Sequence, residues 1–469
     1  MRRLVPVLVL GALLAGTAAA SSRSDRIMAA FDGIGPVSCG AGRDLVDADL
    51  SDRVASDCEV VARRLSLDPF KDTVAQHETA VEPAAASSGA TVVSAFQVGR
   101  YANGGAVGTG FAVSNDAGRT WQRGLLPGLG RSSDPTVAFD SVHRVWLVAD
   151  LSIIDPDTNV GIAVSRSADG LHWTMPSLVN PGPALDKEWI GCDGWPSSPF
   201  RGRCYLVYSD DGNAAQDVVQ WSTDGGVSWS TPVRIMPNFV GVQPLIRPDG
   251  SLVVVAADAD ENSPTADIVA ARSTDGGATF STPVKITNAR WARPAQLRSF
   301  PLPSTTVGAT GTLYAVWHDC RFRVNCSSND LVISSSQDGV TWSPVTRVAI
   351  PGADNRFIPG LGSDPTRPGR LGLVYAGFVR GSCAIGACRL EIAFSSSSDG
   401  GAHWQTQQQL AAVPFPLTWL PRTVSGRMIG DYMAVAFAND RAVPVFTLAG
   451  APLRSHFREA IFATSLAVP

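Results

Sequence analysis

The chain has 469 residues, including 45 glycines and 32 prolines, a length that suits either several domains or one long repetitive all-β domain. Charged residues make up 17% of it and the formal net charge is −4, values that argue against a strongly basic nucleic-acid surface and against an acidic tail. We therefore expect no nucleic-acid partner.

Residues 1–20 have the pattern of a secretory signal peptide. Arg2 and Arg3 precede an apolar stretch from Leu4 to Leu14, and three alanines ending at Ala20 provide a small-residue cleavage site. The apolar stretch is too short to span a bilayer, and no later segment approaches about 18 uninterrupted apolar residues. The sequence predicts a secreted protein, extracellular or in the cell envelope, without a membrane span, and we expect a monomer.

Residues 21–74 lack the repeat that organises the rest of the chain. Within them, the stretch from Leu50 to Leu67 combines helical apolar spacing with several charged residues. We predict a small, partly helical N-terminal appendage over 21–74, followed by one repetitive domain over 75–469.

Eight cysteines fall into four close pairs, which are Cys39 with Cys58, Cys192 with Cys204, Cys320 with Cys326, and Cys383 with Cys388. Export favours disulfides, and short loops have the smallest entropic cost of closure. Eight cysteines allow 105 connectivities, so this local pairing is a hypothesis. A zinc site is the alternative, but the spacings contain no CxxC pair with a matching second half.

One short motif recurs six times along the chain. The copies are SNDAGRTW from Ser114, SADGLHW from Ser167, STDGGVSW from Ser222, STDGGATF from Ser273, SQDGVTW from Ser336 and SSDGGAHW from Ser397. Each follows an alternating apolar run and precedes another extended segment, as expected at a hairpin turn. There, the Asp carboxylate can accept backbone N–H bonds, Gly can adopt a positive φ, and the aromatic ring can pack between neighbouring sheets.

These copies resemble the Asp box, or BNR repeat, of sialidases and other extracellular propellers. The resemblance implies an all-β propeller of four-stranded blades in which the box stabilises a turn on the face away from the active site. Two further strand-like runs precede each box, and a last pair, 432–437 and 443–448, is followed by 460–466 without a box. This pattern favours seven blades over six, the last one closed by an N-terminal strand.

Candidate functional residues lie where the first strand of each repeat begins, on the face opposite the boxes. The acids come early in the chain and the arginines late, in the order Glu78, Asp134, Asp186-Lys187-Glu188, Gln243, Arg298, Arg356, Arg427 and Asp431-Tyr432. Trp189 offers a stacking face for a sugar. The alternative is that these residues form structural ion pairs where the strands converge.

Sialidases hold the substrate carboxylate with three arginines, and use a Tyr activated by Glu as nucleophile and an Asp as acid and base. The resemblance implies that Arg298, Arg356 and Arg427 bind substrate, that Tyr432 is the nucleophile with Glu188 as its partner, and that Asp134 is the acid. The family's Phe-Arg-Ile-Pro segment near the start of the propeller is absent, and the nearest matches are Arg298-Ser-Phe-Pro and Arg356-Phe-Ile-Pro.

Three other features have weaker functional interpretations. His318 is a candidate acid or base, although a lone His is more often a hydrogen-bonded loop residue. Asp210-Asp211 and the acids at 258–261 could bind calcium, but they lack EF-hand spacing, and solvated loop acids are the preferred interpretation. No nucleotide, metalloprotease or Ser-hydrolase motif occurs in the sequence, and we predict no cofactor and no metal site.

Two functions follow from these observations. The first is a secreted, exo-acting glycoside hydrolase on terminal acidic sugars of extracellular glycans. The second is a non-catalytic propeller that binds a glycan, a protein or cell-wall material through the same face. Convergent arginines around a pocket would favour the first function.

Overall fold

A computed structural model describes residues 37–38, 59–60 and 61–469, apart from 129, 156–158, 213–214, 260–262, 295, 352–354, 380–387 and 454–455. All of them belong to one compact unit, Pro36–Pro469. The predicted signal peptide, the start of the predicted helix before residue 59, and Cys39, Cys58 and Cys383 lie outside the described residues.

The N-terminal part of this unit contains three short strands, β1 (Val37–Ser38), β2 (Glu59–Val60) and β3 (Arg63–Arg64). The first two pair with each other in antiparallel fashion. The helix predicted over Leu50–Leu67 is wrong for residues 59–67, where the chain is strand and irregular structure. The division of the chain at residues 20 and 74 stays a prediction.

The next strands form two four-stranded groups. The first contains β4 (Gln76–Ser88), β5 (Thr91–Arg100), β6 (Ala106–Ser114) and β7 (Gln122–Leu125); the second contains β8 (Ser132–Asp140), β9 (Val145–Asp155), β10 (Asn159–Ser167) and β11 (Ser177–Asn180). A pairing between Ala106 and Ser132 joins the two groups into one continuous eight-stranded sheet.

Three separate four-stranded sheets follow. They are β12 (Leu185–Cys192), β13 (Cys204–Asp210), β14 (Gln216–Ser222) and β15 (Val233–Pro237); β16 (Val240–Ile246), β17 (Leu252–Ala259), β18 (Thr265–Ser273) and β19 (Val284–Arg290); and β20 (Ser304–Val307), β21 (Leu313–Asp319), β22 (Asp330–Ser336) and β23 (Thr346–Arg347). Of the strand-like runs that the sequence indicates before each box, the one over Phe300–Pro303 is displaced in the structure to Ser304–Val307. A 3₁₀ turn, Val324–Cys326, lies between β21 and β22.

The last strands complete the fold. One sheet contains β24 (Asn355–Ser363), β25 (Leu371–Phe378), β26 (Arg389–Ser397), β27 (Gln408–Gln409) and β28 (Phe415–Pro416). After a 3₁₀ turn, Leu417–Trp419, come the small pair β29 (Arg422–Thr423) and β30 (Gly426–Arg427) and a final sheet of β31 (Ala434–Ala438), β32 (Arg441–Ala449), β33 (Glu459–Ala463) and β34 (Leu466–Ala467). The N-terminal β3 pairs with β33 and completes this final sheet.

The result is a β-propeller, as the sequence predicts. The choice between seven and six blades stays a prediction, because the first two strand groups are continuous. The hydrophobic core is divided into clusters between neighbouring strand groups. The aromatic residue of each Asp box packs in the cluster between its own group and the preceding one; these residues are Trp121, Trp173, Trp229, Phe280, Trp342 and Trp404.

The Asp boxes adopt the expected turn. In each copy the Ser hydroxyl donates a hydrogen bond to the Asp carboxylate, at 2.8–3.1 Å. In the last copy, backbone and side-chain hydrogen bonds from His403 lower the pKa of Asp399 to about 2. The glycine is required as well: Gly118 has φ +81°, and a Cβ there would lie 2.8 Å from Val443 of the final sheet.

Two of the predicted disulfides, Cys192–Cys204 and Cys320–Cys326, are present. The first links directly opposed residues of β12 and β13, and the second closes the loop after β21. The other two predicted pairs include residues outside the described part of the chain.

Candidate functional site

The first strand of each group faces a central cavity. Its lining comes from β4, β8, β12, β16, β20, β24 and β31, and consists mainly of small or uncharged residues such as Ala84, Ser304 and Ser363. The first and third strands of a group run in the same direction, because neighbouring strands are antiparallel. The cavity end at which the first strands begin therefore lies opposite the Asp boxes, which follow the third strands.

A cluster of five charged residues occupies that end of the cavity. We call it the mouth cluster; its members are Glu82, Asp134, Lys187, Arg298 and Asp431. The carboxylates of Glu82 and Asp431 are 1% exposed, whereas the Arg298 side chain is 22% exposed and faces solvent. The cluster thus combines deeply buried acids with an accessible cation.

A repeated backbone irregularity places three of these side chains. The strand ladders are interrupted between Val81 and Ala84, between Ser133 and Thr136, and between Asp186 and Trp189. At these bulges Glu82, Asp134 and Lys187 adopt φ values of +56°, +49° and +50°. A non-glycine residue in this region costs about 1–3 kcal/mol, and such strain is concentrated at functional sites in proteins.

Lys187 lies at the centre of the cluster. Its Nζ is 3.1 Å from Asp431 Oδ2, 3.3 Å from Asp134 Oδ1 and 3.8 Å from Glu82 Oε1. Burial acts to lower the pKa of the Lys187 ammonium. The three carboxylates outweigh burial and raise this pKa above its usual range. The side chain is therefore a permanent cation.

Arg298 forms a bidentate ion pair with Asp431. Its Nε donates to Asp431 Oδ1 at 2.8 Å and its Nη2 to Oδ2 at 2.6 Å. Burial acts to raise the pKa of Asp431. The charges of Arg298 and Lys187 outweigh burial and hold this pKa far below its usual range. The Arg298 side chain stays 22% exposed although two of its nitrogens are bound to Asp431.

Glu82 and Asp134 form a pair with opposite pKa shifts. Burial and then the neighbouring Asp134 raise the pKa of Glu82. Burial acts to raise the pKa of Asp134, but the charge of Lys187 and a hydrogen bond with Glu82 lower it. The pKa values of the two carboxyl groups are thus displaced in opposite directions, and Gln97 donates a hydrogen bond to Glu82 Oε2.

The aromatic side of the mouth contains Trp189 and Tyr432. Their rings meet edge to face at 5.3 Å, and the Tyr432 hydroxyl donates to the backbone oxygen of Pro135 at 3.1 Å. Burial and then Glu82 and Asp134 raise the pKa of Tyr432 well above its usual range. Tyr432 is therefore protonated in this state.

Glu188 is buried next to this region without a hydrogen bond. It is 1% exposed, and neither of its carboxyl oxygens has a hydrogen-bond partner among the described residues. Burial, followed by the charges of Asp134 and Asp150, raises its pKa. The predicted pairing of Glu188 with Tyr432 is not a direct hydrogen bond in this structure, because Tyr432 donates to Pro135.

The three predicted arginines have different partners. Arg298 is in the mouth cluster, whereas Arg427 lies beside it, with a backbone hydrogen bond to Arg298, and directs its guanidinium to the backbone oxygens of Thr418 and Leu420. Arg356 is 1% exposed and donates to the Ile350 oxygen at 2.6 Å. The guanidinium groups thus share no common partner in the described part of the chain.

Several members of the site escaped the sequence analysis. Glu82 was not singled out, and Lys187 was noted only as part of a charged cluster. A signal was available, since Glu82, Asp134 and Ile358 each precede a proline inside a first strand, and proline within a sheet marks an edge or a bulge. A positive φ occurs at all three residues.

His318, Asp210, Asp211 and Asp258 show no ligand-binding geometry, and Asp260 and Glu261 lie outside the described residues. His318 is fully buried, stacks on Trp291 at 5.9 Å, and its burial lowers its pKa to about 3. Throughout the residues that the structure describes, no group of three His, Cys, Asp or Glu side chains is arranged to hold a metal ion. The same residues contain no helix of the length and apolarity needed to cross a membrane.

Comparisons with known proteins agree with the fold. The family model of the BNR repeat-like domain matches residues 154–415, more than half of the chain. No curated protein matches the sequence. An ulvan lyase of polysaccharide lyase family 25, solved with a bound sugar, is 11% identical with a TM-score of 0.50, over 84% of this chain and 96% of its own.

Two sialidase structures are also similar, at lower scores. The intramolecular trans-sialidase from Ruminococcus gnavus is 13% identical, with a TM-score of 0.41 over 79% of this chain and 90% of its own. The Hadza microbial sialidase Hz136 is 14% identical, with a TM-score of 0.42 over 72% of this chain and 67% of its own. At these identities the likeness concerns the fold alone.

Proposed function

Because this chain belongs to the BNR repeat-like domain family, we propose that it is a secreted glycoside hydrolase that binds terminal acidic sugars of extracellular glycans at the mouth cluster. The observation that carries the proposal is the Arg298 guanidinium, which is partly exposed. Asp431 holds Nε and Nη2, so the guanidinium is fixed in place. A planar guanidinium of this kind suits a sugar carboxylate.

The acid pair supplies a proton next to this arginine. Most glycosidases place two carboxyl groups about 5–9.5 Å apart, on either side of the scissile bond. Glu82 and Asp134 both contact the Lys187 ammonium, and in the proposal they act together as one acid rather than as two opposed groups. In the proposed reaction, Asp134 takes a proton from Glu82 and passes it to the leaving oxygen as the glycosidic bond breaks, so that both carboxyl groups end ionised.

The second group of the reaction is then Tyr432, as the family resemblance implies. To act as nucleophile it must release the Pro135 oxygen and transfer its phenolic proton. Glu188 is the proposed acceptor, which requires that it is ionised when the sugar is bound; both of its carboxyl oxygens lack hydrogen-bond partners among the described residues. Trp189 would lie against a face of the bound sugar.

A non-catalytic glycan-binding propeller is the alternative. It is favoured by the state of Tyr432, whose hydroxyl donates to a backbone oxygen and whose pKa is raised rather than lowered. In that case the mouth cluster binds the glycan and no bond is broken.

Secretion is part of the proposal and rests on the sequence of residues 1–20. The disulfides Cys192–Cys204 and Cys320–Cys326 support it, because stable disulfides are characteristic of oxidising compartments. Fractionation of cells that express the full chain would test it, with mature protein expected outside the cytoplasm.

Hydrolysis of fluorogenic sialosides, glucuronides and neutral glycosides by the purified protein tests the function. Arg298→Met is expected to lower kcat/KM for an acidic substrate roughly 10- to 100-fold, the effect of losing a charged hydrogen bond. Arg367→Met is the matched control, since Arg367 pairs with Asp440 on the opposite face. Acidic-sugar binding without product would favour the alternative, and equal effects of both variants would refute a site at Arg298.

A further inference from the structure

The hairpin of β29 and β30 carries two arginines beside the mouth cluster. Arg422 and Arg427, which we call the arginine pair, are directly opposed residues of its two strands. Directly opposed side chains of antiparallel strands extend from the same face, with Cβ atoms about 4.5–5.5 Å apart. In agreement, burial and then the charge of Arg422 lower the pKa of the Arg427 guanidinium. Two positive charges therefore lie close together on this hairpin.

Within the described part of the chain, no carboxylate forms an ion pair with the arginine pair. Arg427 donates to two backbone oxygens, which carry no formal charge, and the Arg422 side chain is exposed. Asp68 and Asp72, the acids that precede the neighbouring β4, lie next to His77 instead, at 3.4 and 3.5 Å. Like charges at directly opposed positions destabilise a pair of strands. The uncompensated charge thus suits a negative group from outside the chain.

Hydrogen bonds at both edges fix the hairpin in place. At one edge, the Gln76 side chain donates to the Arg422 oxygen at 2.8 Å and accepts from the Arg422 N–H at 2.9 Å. At the other edge, Arg427 exchanges two backbone hydrogen bonds of 2.8 Å with the segment 296–298. Gly426 permits this approach, because its φ is +125° and a Cβ there would lie 3.0 Å from a backbone oxygen of that segment. The arginine pair therefore stands on a fixed support.

The hairpin places the arginine pair next to Arg298, the proposed anchor for an acidic sugar. The segment 296–298, β30 and β29 run side by side, and neighbouring strands lie about 4.8 Å apart. The backbone of Arg422 is therefore about 10 Å from that of Arg298. Arg298 is held by Asp431, whereas Arg427 is held by the backbone oxygens of residues 418 and 420. The two positions can thus take up two separate negative groups.

We propose that the arginine pair is a second acid-binding position, and that the preferred glycan carries a further carboxylate on a sugar unit next to its terminal acidic sugar. A guanidinium group is suited to a carboxylate, and Arg422 can reach one without first releasing a partner within the described residues. The inference rests on the proposed function, because it takes Arg298 as the position of the terminal acid.

The test measures glycan binding by titration calorimetry with two acidic sugars, sialic acid and galacturonic acid. Each is used as the monosaccharide, as a trisaccharide and as the uncharged methyl ester of that trisaccharide. The wild type is compared with Arg422→Gln and Arg422→Glu. Arg119→Gln and Arg119→Glu are the matched controls, since Arg119 is exposed in the first Asp box on the opposite face and its replacement changes the net charge equally.

One of the two acidic trisaccharides should bind the wild type about 5-fold more tightly than its monosaccharide, and its methyl ester should lose this gain. Arg422→Gln should weaken binding of that trisaccharide about 2- to 5-fold, the effect of one exposed ion pair, and Arg422→Glu roughly 10-fold. Binding of the monosaccharide should stay unchanged in both variants. The Arg119 variants should bind all the sugars as the wild type does.

Several results would overturn the inference and leave the proposed function intact. They are a trisaccharide that binds no more tightly than its monosaccharide, equal effects of Arg422→Glu and Arg119→Glu, and binding of a single-stranded oligothymidylate as tight as that of the trisaccharide. A lower Tm of Arg422→Glu would do the same, because it would mean that Arg422 has a negative partner within the chain. Absence of binding by every acidic sugar would instead refute the proposed function itself, and the inference with it.

Discussion

Replacement of Glu188 by Gln is expected to stabilise the protein, and to do so more strongly as the pH rises. Glu188 is buried without a hydrogen-bond partner among the described residues, and its pKa is raised, first by burial and then by Asp134 and Asp150. Between the unfolded and folded pKa values the folded chain holds a proton that the unfolded chain has released. The free energy of unfolding of the wild type therefore falls as the pH increases.

The slope of the free energy of unfolding against pH sets the size of the expected difference between the two proteins. One pH unit in this window corresponds to about 1.4 kcal/mol. From about pH 5 to about pH 7, the wild type should lose roughly 2–3 kcal/mol relative to Glu188→Gln, provided that Glu188 stays protonated in the folded state. Gln has nearly the same shape but does not titrate, so the difference between the two proteins isolates the carboxyl group.

Urea denaturation of both proteins at several pH values measures this difference. Asp258→Asn is the control for removal of a carboxyl group from an exposed position, because Asp258 lies exposed near the end of β17. A difference between wild type and Glu188→Gln that does not vary with pH would refute the reasoning. It would mean that Glu188 is ionised in the folded protein and stabilised by a partner in the interior.

Three other substitutions test separate parts of the structure. Asp224→Ala should lower the free energy of unfolding in urea by about 1–2 kcal/mol, because its carboxylate accepts turn hydrogen bonds from Ser222, Val227 and Ser228. Arg356→Met should leave the affinity for an acidic sugar unchanged in a glycan titration, since this arginine is buried on the Ile350 oxygen. Trp189→Ala should weaken the same affinity about 3- to 10-fold, by loss of an aromatic face, and Trp189→Phe should retain most of it.

The Asp boxes were predictable because their chemistry is local. Ser222 and Asp224 are two residues apart, and the hydrogen bonds of the turn join atoms within four residues of each other. Glycine and the aromatic residue also have fixed positions in the motif. The sequence therefore predicts the turn, the hairpin and the propeller together.

The mouth cluster was only partly predictable, since its contacts join distant parts of the chain. Lys187 is 53 residues from Asp134 and 244 from Asp431, and Asp431 is 349 residues from Glu82. Sequence position identified the starts of the first strands, where Asp134, Lys187 and Arg298 lie. Sequence position could not show that Asp431 already forms an ion pair with Arg298, or that Arg356 turns away from the cavity.

The short β3 strand illustrates the same limit. Residues 59–67 carry helical apolar spacing, yet Arg63 and Arg64 pair with Ala463 and Phe462, and Leu65 donates to the Ile461 oxygen. Without β3, the strand β33 at the outer edge of the last sheet would have no neighbour on that side. Tertiary pairing of otherwise unpaired backbone groups thus outweighs local propensity.

The two faces of the propeller differ in backbone conformation, with hydrogen-bonded turns on one and strained bulges on the other. On one face the boxes use satisfied turns, and their aromatic rings fill the clusters between strand groups. On the other face Glu82, Asp134 and Lys187 sit in strained bulges, on first strands that have a ladder partner on one side only, apart from the single Ala106–Ser132 pairing of β8. A bulge in such an edge strand disrupts fewer hydrogen bonds than one in the middle of a sheet. Substitutions in the boxes should therefore change stability and spare the mouth, whereas replacing the buried Glu188 carboxyl near the mouth should raise stability at the expense of function.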